Sequence, residues 1–343
     1  MARQITAPNT SAWRMPAEWE PHEATWLAWP HEKSDWPGKF APIPWLYGEI
    51  VRHLARVERV RILVQDRDAE EGVRKILKKC HAELAAVEFF HHPTNRSWTR
   101  DYCPLFVKND AGIAATHWRF NGWAKYDNCR DDARTPAFIS RKLKMQRIET
   151  GLVLEGGSID VNGAGKLLTT EECLLSDVQA RNPGLGRREL EKAFHDYLGI
   201  DEVIWLNRGI AGDDTHGHID DLARFTAADR VITMVEPDKS DVNHEPLQEN
   251  LDRLLARKDL RVTPLRMPEP VYFAGQRLPA SYANFYIANQ LVLAPTFGDK
   301  HDAAALCALE VLFPDRAVVG IPCRDLVLGL GTLHCMTQQQ PGI

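Results

Sequence analysis

The chain has 343 residues, 44% of them hydrophobic and 26% charged, with a formal net charge of −5; this is the balance of a globular protein large enough for one big domain or two average ones. The acidic excess and the lack of a basic run exclude a nucleic-acid surface and suit a small cationic ligand, and no stretch reaches the roughly eighteen apolar residues of a membrane span. Seven scattered cysteines without a C-x-x-C spacing argue for a reducing, cytoplasmic setting and against a disulfide framework or zinc ribbon.

The elements follow in chain order. The opening MARQITAPNTSAWRMPAEWEPHE contains no apolar h-region, so no signal peptide is expected. Strand TWLAWP leads to a helix within PWLYGEIVRHLARV, where Leu46, Ile50, Val51 and Leu54 align at helical spacing, and then to strand VRILVQD. A second, less regular unit runs WTRDYCPLFVKND and GIAATHWRF. The third is the clearest: strand LVLEGGSIDV, turn NGAG, strand KLLTTEECLL, helix GRRELEKAFHDYLG and strand EVIWL. Its helix carries Leu190, Ala193, Phe194, Tyr197 and Leu198 on one face, and Gly199 stands where a helix stops. The fourth runs HIDDLARFT, RVITMVEPD, a helix with Leu247, Leu251, Leu254 and Leu255, then RVTPLRM. The fifth runs SYANFYIAN, QLVLAPTFG, helix DAAALCALEVLF and AVVGIP.

Each unit reads as a polar turn, two short strands, a helix and an apolar strand, and Glu155, His218 and Ser281 recur at an interval of 63 residues. No low-complexity linker divides the series, so residues 1–343 are expected to form one α/β domain. Five ββαβ-like units suggest a closed ring with short, protected edges, though an ordinary mixed sheet has the same periodicity. In a ring the opening turns would meet near the axis.

Four of those turns carry unusual chemistry. NRSWTRDYCP holds Trp98, Arg100 and Asp101; a carboxylate behind an aromatic wall suits a flat cation, which the ring face attracts and the carboxylate bonds twice. Trp123, in NGWAKYD, offers a second wall. LEGGSID places Glu155 before two glycines. GDDTHGHIDD packs Asp213, Asp214, His216, His218, Asp220 and Asp221 into nine residues; an extended backbone from 218 to 224 would put His218 and Asp220 on one face. His216-x-His218 with Asp214 could instead ligate a divalent metal, and a polar surface loop is the plain alternative. Finally LGLGTLHCMTQQQP presents Cys335 beside Gly329 and Gly331, as a turn presents a nucleophilic thiol; a buried structural cysteine is the alternative there.

Taken together, MPAEWEPHEATWLAWP (15–30), SWTRDYCPLFV (97–107), LEGGSIDVNGAGKLLTTEECLL (154–175), DDTHGHIDDLARF (213–225) and LHCMTQQQP (333–341) resemble the agmatine deiminase and bacterial peptidylarginine deiminase family of the guanidino-group-modifying, or pentein, superfamily. The resemblance spans the chain in family order. It implies a five-bladed αβ-propeller around a central site, with Cys335 as nucleophile, His218 as general acid/base, and Asp101 and Asp220 as guanidinium-binding carboxylates. It further gives the Glu155 segment a supporting place among the substrate-binding residues and sets Asp214 at the substrate's far end, beside the aromatic walls expected of Trp98 and Trp123. The sequence departs from the usual pattern at His216, at Leu330 and at Tyr102-Cys103.

The activity so implied is hydrolysis of agmatine to N-carbamoylputrescine and ammonia for putrescine synthesis, through a thiouronium on Cys335, with no metal or organic cofactor and no membrane partner. A homodimer is an open expectation. Three alternatives stay open: deimination of protein arginine, a metal-dependent hydrolase on Asp214, His216 and His218, and an amine-binding propeller without turnover.

Overall fold

Short polar turns, rich in residues that bond their own backbone, precede the first strand of each repeat, and the strands that follow are buried. The computed structural model describes residues 13–342; residues 1–12 and Ile343, and with them the start of the segment read for a signal peptide and both ends of the expected 1–343 domain, lie outside the described residues. The first unit contains β1 (His22–Ala28), α1 (Ile43–Leu54), β2 (Arg59–Val64), α2 (Arg67–Lys79) and β3 (Val87–His91). The second has a one-turn helix α3 (Thr99–Tyr102), then β4 (Leu105–Asn109), β5 (Gly112–Arg119), α4 (Thr135–Lys142) and β6 (Gln146–Val153). The third has β7 (Asp160–Val161), β8 (Lys166–Thr170), α5 (Glu171–Leu175), α6 (Arg187–Leu198) and β9 (Glu202–Leu206). The fourth has β10 (Ala223–Ala227), β11 (Arg230–Val235), α7 (His244–Leu255) and β12 (Arg261–Arg266), followed by the hairpin β13 (Tyr272–Phe273) and β14 (Gln276–Arg277). The fifth has β15 (Tyr286–Ala288), β16 (Leu291–Thr296), α8 (Asp302–Leu312) and β17 (Ala317–Pro322), and the chain closes with β18 (Gln338–Pro341).

Units two to five share one topology. The first strand is antiparallel to the second, and the second is parallel to the third, reached through a helix: β4-β5-β6, β7-β8-β9, β10-β11-β12 and β15-β16-β17. A parallel neighbour needs such a crossover, whereas an antiparallel one needs only a hairpin. The first unit lacks a leading strand of its own. Its place beside β1 is taken by β18 from the far end of the chain, with Trp26 opposite Gln338 and Thr25 opposite Gln339. The two chain ends are thereby hydrogen-bonded into one sheet, and α2 adds β3 as an extra parallel strand, which the sequence did not announce.

The helices bury most of the faces that their spacing indicates, but Leu46 of α1 and Leu251 of α7 are only half-buried and one residue is corrected. In α6 all five expected residues are buried, and Gly199 takes the left-handed conformation (φ 68°) that ends it. In α7 Leu247 and Leu254 are buried, but Leu255 is 58% exposed, because one residue further turns the side chain some 100° off the buried stripe. Apolar strand faces and helix stripes pack into a large cluster and a smaller one centred on Leu167, Phe194 and Leu198. None of the helices among the described residues is long and apolar enough to cross a membrane.

The opening turns obey the 63-residue interval. Glu155 caps the N-terminal end of the tight turn Gly156–Ser158, and His218 caps that of Ile219–Asp221. Here the expected extended backbone over 218–224 is overturned: strand begins only at Ala223. His218 and Asp220 share the site because a turn, not a strand, gathers them.

Candidate active site

Segments far apart in sequence meet where these turns converge. Cys335 lies in the turn before β18, and its Sγ is 3.6 Å from Asp220 Oδ2. His218 faces two carboxylates, with Nδ1 3.8 Å from Asp101 Oδ1 and Nε2 3.7 Å from Glu155 Oε2. All of these side chains are buried. A cavity of about 380 Å³ reaches Cys335, Asp101, Trp98 and Trp123, then runs outward past Tyr126 and Asp214 to Asp35 and Arg96. A volume of that order holds a small organic molecule.

Two glycines permit this density. A Cβ on Gly157 would lie 2.6 Å from His218 Nδ1 and 2.8 Å from Asp101 Oδ1. Without one, the Gly157 backbone N–H donates to Asp101 Oδ1 at 3.0 Å. Gly331 leaves room in the same way, since its Cβ would stand 3.0 Å from that of Cys335 and 3.1 Å from the Trp98 ring. Leu330 between them and the preceding turn adopts φ 66°, a left-handed conformation costly for a side chain with a Cβ, which fits a position where the sequence pattern more often has glycine.

The charges are arranged against solvent exposure. Burial pushes the Asp101 carboxyl up to about 6, with Asp220 and Glu155 adding to the rise and His218 opposing it. Burial works against the His218 cation, yet Asp101, Cys173 and Glu155 hold its pKa well above the ordinary value, so the imidazole is protonated at neutral pH. Glu155 is held down near 2 in spite of burial, because Arg181 Nε reaches both its oxygens at 3.0 and 3.2 Å. The Cys335 thiol is pushed well up by burial and by Asp220, Asp221 and Asp101. A thiol in that field ionises readily only when a cation arrives.

The predicted residues are distributed as follows. Cys335, Asp101, Trp98, Trp123 and Asp214 line the cavity, with His218 and Asp220 packed against its inner end. Trp123 is more than a wall: its indole N–H donates to Asp101 Oδ2 at 2.9 Å. Glu155 is corrected. It is fully buried between His218 and Arg181, so it supports the imidazole instead of touching substrate. Asp214 does face the outer cavity, but Lys125 and the Tyr126 hydroxyl, at 2.7 Å, already occupy its two oxygens. The set Asp214, His216 and His218 is not brought together. His216 has φ 64° and meets Ser176 Oγ at 3.2 Å, because the turn at Gly217 separates the two histidines. The cluster of potential ligand atoms found among the described residues is instead Glu155, Cys173 and His218, within 4.8 Å of one another; the Arg181 cation on Glu155 opposes a metal ion there.

Sequence reasoning missed a buried network behind the site. His334, one residue before the cysteine, meets Asp220 Oδ2 through Nδ1 at 2.7 Å and Glu18 Oε2 through Nε2 at 2.9 Å. Glu18 also receives Arg100 at 3.2 Å, Arg224 at 3.1 Å and the Ile287 N–H at 2.7 Å. This pulls Asp220 below the usual carboxylate range against burial, His334 being the main favourable partner. Arg100 therefore pairs with Glu18 and not with its neighbour Asp101. The signal was present as charged residues in otherwise apolar or glutamine-rich segments, but their partners lie hundreds of residues away.

Comparisons with known proteins show the family. The family model for Porphyromonas-type peptidyl-arginine deiminases matches residues 14–341. A protein of Legionella pneumophila (strain Philadelphia 1) is 37% identical over 350 residues, spanning 98% of this chain and 97% of its own. The agmatine deiminase of Pseudomonas aeruginosa (strain UCBPP-PA14) is 34% identical over 99% of both chains. Among solved structures, the agmatine deiminase of Enterococcus faecalis superposes with a TM-score of 0.89 at 30% identity, covering 96% of both chains.

Proposed function

We propose that this chain, which belongs to the Porphyromonas-type peptidyl-arginine deiminase family and is thus an enzyme acting on C–N bonds of linear amidines, hydrolyses agmatine to N-carbamoylputrescine and ammonia. The observation that carries the reading is one cavity with a sulfur, an imidazole and paired carboxylates at its inner end. Support for agmatine comes from relatives of that name matching over nearly the whole chain. Support for a five-bladed αβ-propeller as one catalytic domain comes from the five sheets of related topology and from the pairing of β18 with β1. The scattered free cysteines support a reducing cytoplasm as its setting.

In the reaction, Asp101 and Asp220 accept N–H bonds from the planar guanidinium and hold its carbon over Cys335. The arriving cation favours the thiolate, whose proton passes to solvent, and the thiolate attacks that carbon. The protonated His218 gives its proton to one nitrogen, the C–N bond breaks, and ammonia leaves. A positively charged thiouronium stays on the sulfur and His218 is neutral. His218 then takes a proton from water as the water oxygen attacks the same carbon. The C–S bond breaks, the ureido product leaves, His218 is again a cation, the second proton of the water passes to solvent, where the released ammonia becomes ammonium, and the sulfur takes back its proton from solvent. Glu155, anchored by Arg181, keeps the imidazole in line throughout.

The test assays agmatine, free arginine and an arginine-containing peptide side by side. Agmatine is expected to give the highest kcat/KM, with one ammonia per ureido product. Preference for the peptide would replace the reading with protein-arginine deimination.

A further inference from the structure

Asn284 opens the fifth unit and has no role in the reaction derived above. Its side chain is 1% exposed, and its orientation is set by what surrounds it. The backbone N–H groups of His334 and Cys335 point at one end of the amide, at 3.0 and 3.4 Å, and the Thr332 hydroxyl reaches the same atom at 2.8 Å. A backbone N–H can only donate, so that end is the amide oxygen. The amide nitrogen is thereby turned the other way, where it has Cys335 Sγ at 3.1 Å and Asp221 Oδ1 at 3.0 Å. Its two N–H bonds thus meet two acceptors.

The surroundings make that donor matter. Burial and the carboxylates of Asp220, Asp221 and Asp101 all disfavour charge on the sulfur, and the Asn284 N–H acts in the opposite sense. His218 and His334 are the other titratable groups on this side, and the buried Tyr47 phenol, pushed up by its burial, feels the sulfur from the α1 side. An N–H bond to sulfur strengthens as negative charge develops there, both when the thiol ionises and when the C–S bond of the intermediate breaks.

Resting on the reading of Cys335 as nucleophile, we propose that Asn284 is a further catalytic residue: its amide N–H holds the sulfur as the thiolate and aims it, while its oxygen gathers the 332–335 backbone behind it. Asn284 neither gives nor takes a proton in any step.

The pH profile of inactivation by iodoacetamide, followed as loss of agmatine turnover, reads this sulfur apart from the other free cysteines. Asn284→Ala is expected to shift the profile to higher pH by about one unit and to lower kcat by about 10- to 100-fold, with KM changed less than threefold. Thr332→Val removes one bond to the amide oxygen but leaves the nitrogen in place, and should keep the wild-type profile. Asn284→Asp retains the oxygen and the shape without the N–H, so at pH 8 it must also be inactivated more slowly; this holds the test open should the alanine variant not fold. A wild-type profile and kcat in Asn284→Ala or Asn284→Asp overturns the proposal, as does an equal shift in Thr332→Val. Retained turnover in Cys335→Ala would instead defeat the nucleophile reading, a separate outcome.

Discussion

The two ends of the cavity differ in how their charges are met. At the inner end, both ring nitrogens of His218 and Asp220 Oδ1 are buried without a hydrogen-bond partner among the described residues. At the outer end Asp214 is closed by Lys125 and Tyr126, while Asp35 pairs with Arg96 but leaves Asp35 Oδ2 and Arg96 Nε without a hydrogen-bond partner among the described residues. Unmatched buried polar atoms are expensive, and those of His218 and Asp220 stand beside Asp101 and Cys335, where a ligand's atoms can complete the set. Lys125 and Tyr126 leave a substrate tail only what remains of Asp214 after those two bonds. The proposed chemistry therefore lies at the inner end, and weaker recognition of the tail is expected by comparison.

That contrast can be broken or sharpened by substitution. The largest effect is expected of Cys335→Ala, which should lower ammonia release by at least about 10⁴-fold while calorimetry still detects agmatine binding; near-normal release would end the assignment. Arg181→Met leaves the buried Glu155 carboxylate unpaired, and should destabilise the fold by about 3–5 kcal/mol, visible as a lower denaturant midpoint. An unchanged midpoint would mean that Glu155 is not held as described. Gly157→Ala pushes a methyl group into His218 and Asp101, so kcat should fall by about 100-fold from misplacement alone; unchanged kinetics would show that the inner end tolerates a shift.

The pH dependence follows from Asp101, whose carboxyl sits near 6 because burial favours its neutral form. As pH falls through that value the carboxylate takes up a proton and loses its grip on the guanidinium. Then kcat/KM should drop about tenfold per pH unit below 6, and Asp101→Asn, much slower overall, should lack this limb. A profile that is flat down to pH 5 would contradict it. The smallest effect belongs to the outer end. Lys125→Ala frees Asp214, but the pair is partly exposed, and such pairs contribute about 0.2–1 kcal/mol. KM for agmatine should change by only about two- to fivefold with kcat unchanged, and a larger change would mean that the outer end reads the tail strongly after all.

Several features were legible because they are local. The helical stripe of α6 and its Gly199 stop, the recurrence of Glu155 and His218 at the heads of equivalent turns, and the presentation of Cys335 beside Gly331 all follow from side-chain period and backbone freedom over a few residues. The family resemblance rested on such short runs. The pairing of β18 with β1 was not legible, because it joins the two ends of the chain. Leu255 was misplaced because one residue separates an inward from an outward side chain on a helix.

The sequence alone singled out the residues proposed to carry the chemistry, since thiol, imidazole and carboxylates stand in glycine-containing turns at equivalent points of the repeat. Tertiary structure alone decided what each does with its neighbours. It turned Glu155 toward Arg181, set His334 between Asp220 and Glu18, closed Asp214 with Lys125 and aimed Asn284 at the sulfur. The reason is that charge interactions in a buried site depend on distances of a few ångströms between segments, and those distances are set by how the sheets pack, not by the order of residues along the chain.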